Sequence, residues 1–186
     1  GYLSLFSLGL PAALVKSLAE YHAQGRLQEV NAVVTAGLLF FTGLGAIAAM
    51  SLWWFGMTAF PNIFNIPPEM VASAVALMTL IALQAFIDFP GMAFSAVLEG
   101  LQRYDLLALL DLCRSLAFAA GAALLVGTDR GVVSLGVLLV VLSVLNTTVL
   151  VALSRRLLPS LRFERGVRRQ EVVEMASMSA TLFFLR

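Results

Sequence analysis

With one cysteine and one histidine in 186 residues, the chain has nothing with which to build a disulfide framework or a zinc site. Cys113 lies inside an apolar stretch and reads as a small packing residue. His22 stands in a polar stretch, with no Cys, Asp or Glu at a ligand spacing, and reads as a solvated side chain. No metal site and no cofactor is expected. Gly43-Leu44-Gly45 lacks the preceding strand and third glycine of a dinucleotide loop. Asn146-Thr147-Thr148 matches a glycosylation sequon, but inside an apolar run no transferase reaches it. There is no Ser, His and Asp arrangement, no pair of catalytic carboxylates and no Walker-type loop, so no catalytic residue is assigned and the chain is not expected to be an enzyme.

Charge is scarce as well. Only 12% of residues are charged, about half the share of a soluble domain, and the formal net charge of +1 gives no argument for nucleic acid as a partner. A positively charged leader with a small-residue cleavage site is missing, so no signal peptide is expected.

In their place stands apolar sequence: 60% of the residues are hydrophobic, and the mean hydropathy is +0.94. Four stretches, Ala32 to Met57, Met70 to Leu98, Leu106 to Gly127 and Val132 to Leu153, are each long enough as helices to cross a hydrocarbon core of about 30 Å. The fold class is therefore all-α, a polytopic transmembrane helix bundle of four full spans. Two further apolar runs, Gly1 to Val15 and Ser177 to Arg186, are too short to span and read as truncated spans of a longer protein.

Short loops force successive spans to run antiparallel, which sorts the cations by side. Lys16, Arg26, Arg103, Arg155, Arg156, Arg162, Arg165, Arg168 and Arg169 fall on one face, and the opposite loops carry only Arg130. That asymmetry assigns the first face, with segments 16–30, 99–105 and 155–176, to the cytoplasm of a multi-pass protein of the cell membrane. Trp53 and Trp54 mark the outer boundary of the first span, and Pro68 with Glu69 suits a helix start. Asn31 is the expected start of the first span. Within the basic segment 155–176, which contains Pro159 and Gly166, Arg168 to Ala176 reads as a short surface helix resting on anionic membrane lipids. Gly43, Gly45 and the run from Ala117 to Ala123 supply small side chains for close helix packing.

Three charges stand out because they fall inside the spans. At about 1.5 Å per residue, Asp88 lies roughly 16 Å from Glu99, and Arg114 roughly 13 Å from Asp105, so both are near mid-depth. Each such charge costs about 3 kcal/mol or more to insert and should face another charge or a watery cavity. Asp111 and Arg114 are three apart on one helix and suited to a local pair, while Asp88 competes for Arg114 from the neighbouring span. Two roles stay open: a structural ion-pair network, or a site for substrate or coupling ion. Asp88 also precedes Phe89-Pro90, and a proline inside a span bends the helix, as a hinge or as a static bend.

Three stretches carry a resemblance. Gly9-Leu10-Pro11-Ala12-Ala13-Leu14-Val15-Lys16-Ser17-Leu18-Ala19-Glu20-Tyr21 with Gly25-Arg26, then Leu98-Glu99-Gly100-Leu101-Gln102-Arg103-Tyr104-Asp105, then Arg155-Arg156-Leu157-Leu158-Pro159-Ser160-Leu161-Arg162, resemble in order the cytoplasmic segments of the oligosaccharide flippase (polysaccharide biosynthesis) family. That family shares a superfamily with multidrug and toxin extrusion transporters. The resemblance implies a two-lobe, alternating-access transporter. Residues 1–154 would belong to its N-terminal lobe, 155–176 to the linker between lobes, and 177–186 to the start of the next helix.

It further implies, as cargo, an undecaprenyl-pyrophosphate-linked oligosaccharide flipped outward for envelope or exopolysaccharide synthesis. A proton or sodium would be the coupling ion, and polymerase or glycosyltransferase machinery would act alongside. Lys16, Asp88, Asp111 and Arg114 are the candidate substrate-binding residues, and Gln102, Arg103 and Asp105 the candidate cytoplasmic turn. An antiporter of drugs or cations with Asp88 as its ion site, and a polytopic membrane glycan-modifying enzyme, are the other readings.

Overall fold

The computed structural model describes residues 10–126 and 131–159. Every regular element among them is a helix: α1 (Leu10–Ala23), α2 (Leu27–Thr58), α3 (Phe60–Ile63), α4 (Pro68–Gly100), α5 (Tyr104–Val126) and α6 (Gly131–Leu157). Helices α2, α4, α5 and α6 are long and apolar enough to cross a membrane. With 32, 33, 23 and 27 residues they measure about 48, 50, 35 and 40 Å. The chain is an all-α, multi-pass membrane helix bundle. The run before residue 10, the turn at Arg130, the basic segment beyond residue 159 and the run 177–186 lie outside the described residues.

The helix ends show why the chain reverses where it does. Gly25 adopts φ +70, its amide bonds to the His22 carbonyl and the Arg26 amide to that of Tyr21, so α1 closes in a left-handed cap that glycine takes without strain. The same pattern ends α4. Gln102, at φ 57, donates to Glu99, and Arg103 to Leu98. The next helix then starts at once in both places, so α2 begins at Leu27, four residues before the expected start at Asn31. The polar stretch from Leu27 to Asn31 stays helical because Arg26 pairs with Glu29 at 2.8 Å across the first turn. Pro68 and Glu69 open α4, as the missing proline amide and the helix dipole favour. Helix α6 extends to Leu157, with Arg155 and Arg156 in its last turn, where cations meet the negative end of the dipole.

The chain divides into two compact units. The described residues of the first are 10–41, 90–107 and 149–159, and those of the second 42–126 without 90–107, together with 131–148. In the first unit, α1 packs against α2 and α4 through glycines that leave no room for a methyl group. A Cβ on Gly37 would lie 2.9 Å from Leu14 Cδ1, and one on Gly100 would lie 2.9 Å from Leu18 Cβ. Apart from Ala82, every buried apolar residue described belongs to this unit, among them Leu14, Leu18, Val30, Val34, Val97 and Leu98. Buried Ser154 donates to the Phe94 carbonyl at 3.4 Å. In the second unit, helices also meet at glycines: a Cβ on Gly56 would come within 2.5 Å of Met78 Cβ, and one on Gly45 within 2.8 Å of Phe89 Cβ. Much of that unit's apolar surface stays uncovered, including Met50, Trp54, Leu116 and Leu124, as suits side chains facing lipid.

Candidate functional site

The polar centre of the second unit is built from three apolar helices. Asp88 stands 20 residues into α4, Arg114 ten residues into α5 and Ser143 twelve residues into α6. These positions are about 30, 15 and 18 Å from the respective helix starts, deep inside each span. Arg114 Nη2 donates to Asp88 Oδ2 at 3.1 Å and to Ser143 Oγ at 3.2 Å. Gln84, one turn before Asp88, donates to the same carboxylate oxygen at 3.3 Å. Thr147, one turn after Ser143, directs its hydroxyl at the Ile87 carbonyl at 3.5 Å, a marginal distance for an O–H donor.

The two charges are half-buried, with 30% of the Arg114 side chain and 28% of the Asp88 side chain exposed, and Ser143 is wholly buried. No buried side-chain nitrogen or oxygen among the described residues lacks a partner. The Arg114 nitrogens that make no bond to protein are therefore open to whatever occupies the space beside them. A guanidinium with one edge tied down and another open is a ready partner for the oxygens of a phosphate or carboxylate.

Of the two carboxylates within reach of Arg114, the structure pairs Asp88 and leaves Asp111 exposed without an ion pair. The local pair is bypassed because Asp111 points to an exposed side of α5. Cys113 is exposed as well, which corrects its reading as a packing residue. Lys16 is an exposed residue of α1 in the first unit. Gln102, Arg103 and Asp105 form the joint between α4 and α5. Arg103 binds Asp105 through Nε at 3.1 Å and Nη2 at 3.2 Å, and this bond raises the Arg103 pKa above the ordinary guanidinium value. Helix α4 continues through Pro90, and the division between the compact units falls between Phe89 and Pro90. Gln84 and Ser143 are the members of the cluster that residue types alone did not single out. Among the described residues no three His, Cys, Asp or Glu side chains come together as a metal site.

The sequence model for the polysaccharide biosynthesis protein family matches residues 2–186. The chain belongs to the polysaccharide biosynthesis protein family. No curated protein and no solved structure matches it. Membership of the polysaccharide biosynthesis protein family, together with four membrane-crossing helices, supports a general transport role.

Proposed function

We propose that the protein moves a lipid-linked oligosaccharide, carried on undecaprenyl pyrophosphate, across the cytoplasmic membrane by alternating access. The observation that carries this reading is the Asp88–Arg114–Ser143 cluster, set on three apolar helices of a polysaccharide biosynthesis family member. Sugars and pyrophosphate do not cross hydrocarbon unaided, and a cation held inside the span can receive the anionic headgroup while the lipid tail stays in the bilayer. In this reading Arg114 binds the pyrophosphate, Asp88 and Ser143 hold the Arg114 guanidinium in place, and Lys16 contributes charge where cargo enters. The protein transports and does not catalyse a covalent reaction. Its partners are the lipid-linked cargo, a coupling ion and the enzymes that make and polymerise the glycan. The segments 16–30, 99–105 and 155–176 face the cytoplasm, by the excess of Lys and Arg on that side.

Asp88 already holds a cation, which favours anionic cargo over the cationic cargo of a drug antiporter. The test is transport by the full-length protein in proteoliposomes, with a fluorescent lipid-linked glycan beside a cationic dye. Outward movement of the glycan that is lost in Arg114→Gln is the expected result. Dye movement without glycan movement would reverse the assignment.

A further inference from the structure

Asp111 lies inside a membrane-crossing helix and has no countercharge among the described residues. It stands seven residues into α5 and fifteen from the end at Val126, about 10 and 22 Å along the axis. Its side chain is exposed. A bare carboxylate at that depth is among the costliest groups to set against acyl chains, so something other than lipid covers this side of α5.

The side chains next to Asp111 give a second, separate indication. At about 100° per residue, turning from Asp111 away from Arg114 brings Ala122, Ser115, Ala108 and Ala119 within about 80° around the axis. All four are small, and all but Ala122 are exposed. Only from about 100° onward come Leu112, Leu116 and Leu109, each more than half exposed, as a face turned to lipid should be. Small side chains let the backbone of another helix come close, and contact with lipid gives no reason for them.

We infer that the Asp111 side of α5 is a docking surface for another membrane-spanning helix, one outside the described residues that places a Lys or Arg at the depth of Asp111. Charge complementarity selects that occupant. Among the described residues only Arg114 is a cation deep within a membrane-crossing helix, and Asp88 holds it, while Arg155 and Arg156 stand in the last turn of α6. A second copy of these spans therefore has no free cation to bring. The docked helix forms one wall of the space beside Arg114, which lies about 60° around the axis from Asp111. The surface stands whatever cargo Arg114 receives.

The experiment is nitroxide labelling of Ser115→Cys and Leu116→Cys in the full-length protein with Cys113→Ser, one copy per nanodisc, with relaxation by oxygen and by a water-soluble nickel chelate. The label at position 116 should respond to oxygen, as a lipid-facing site does, and the label at 115 should respond to neither. Ala108→Cys replaces Ser115→Cys if that variant does not fold. An oxygen response at 115 means lipid, a nickel response means a water-filled face, and shielding that needs two copies per disc means a second molecule; each overturns the docked helix. Thermal melts test the countercharge. Asp111→Asn keeps the size and removes the charge, so it should lower the melting temperature by several degrees by stranding the cation opposite, whereas Asp111→Glu should stay closer to wild type. An Asn variant as stable as wild type, or more so, would overturn the charge pairing.

Discussion

Arg114 reaches Asp88 across 26 positions of sequence, passing over Asp111 three residues away on its own helix. The choice joins α5 to α4 at mid-span, where a polar tie is hardest to replace with water. It also sets what a charge change does. Removing either partner leaves the other unpaired in an apolar setting, and reversing both restores the attraction. Asp88→Asn and Arg114→Gln should each reduce glycan export and thermal stability, and Asp88→Arg with Arg114→Asp should partly recover both. A coupling energy of about 1 kcal/mol or more in a double-mutant cycle is expected; additive losses would show that the two residues act separately.

Two glycines of α2 should respond in opposite ways to the same substitution. A Cβ on Gly45 meets Phe89 Cβ at 2.8 Å, whereas one on Gly43 meets nothing within 4 Å. Gly45→Ala should therefore lower stability by about 1–3 kcal/mol. Gly43→Ala should raise it by as much as about 1 kcal/mol through helix propensity. Thermal melts of the detergent-solubilised variants decide; equal effects would mean that α2 and α4 pack differently.

The cap of α4 rests on a residue other than glycine. Gln102 holds φ 57, a left-handed conformation that glycine enters freely and β-branched residues resist. Gln102→Gly should be neutral or stabilising by a few tenths of a kcal/mol, and Gln102→Val should destabilise by about 1–2 kcal/mol. A Val variant as stable as wild type would argue against this turn.

Membrane orientation is open to a labelling test. With Cys113 replaced by serine, a cysteine at Arg156 should resist an impermeant thiol reagent in intact cells, and one at Asn62 should react. The reverse pattern would invert the topology drawn from the positive charges.

The four spans were legible because apolar runs of that length have few other uses, and the depth of Asp88 and Arg114 followed from counting residues along them. The start of α2 was less legible. Arg26, Gln28 and Glu29 are polar and lie outside the apolar run that starts at Ala32, and the Gly25 cap and the Arg26–Glu29 pair carry the helix back to Leu27. The face of a helix was harder still: α5 is apolar nearly all round, so no stripe told which side Asp111 and Cys113 would take. Gln84 and Ser143 did leave a signal. One stands four residues from Asp88, and the other lies as deep in its helix as Arg114 does in α5, where a hydroxyl finds a polar partner readily.

Among the described residues, buried apolar side chains gather almost wholly in one compact unit, while the other is tied by glycine contacts and a single charged cluster. Neutral drift should run unevenly through such a chain. Substitutions among the uncovered Leu, Val and Met of the second unit exchange one greasy side chain for another and pass unnoticed by selection. The same exchange at Leu14, Val34 or Leu98 meets a filled interior and is purged.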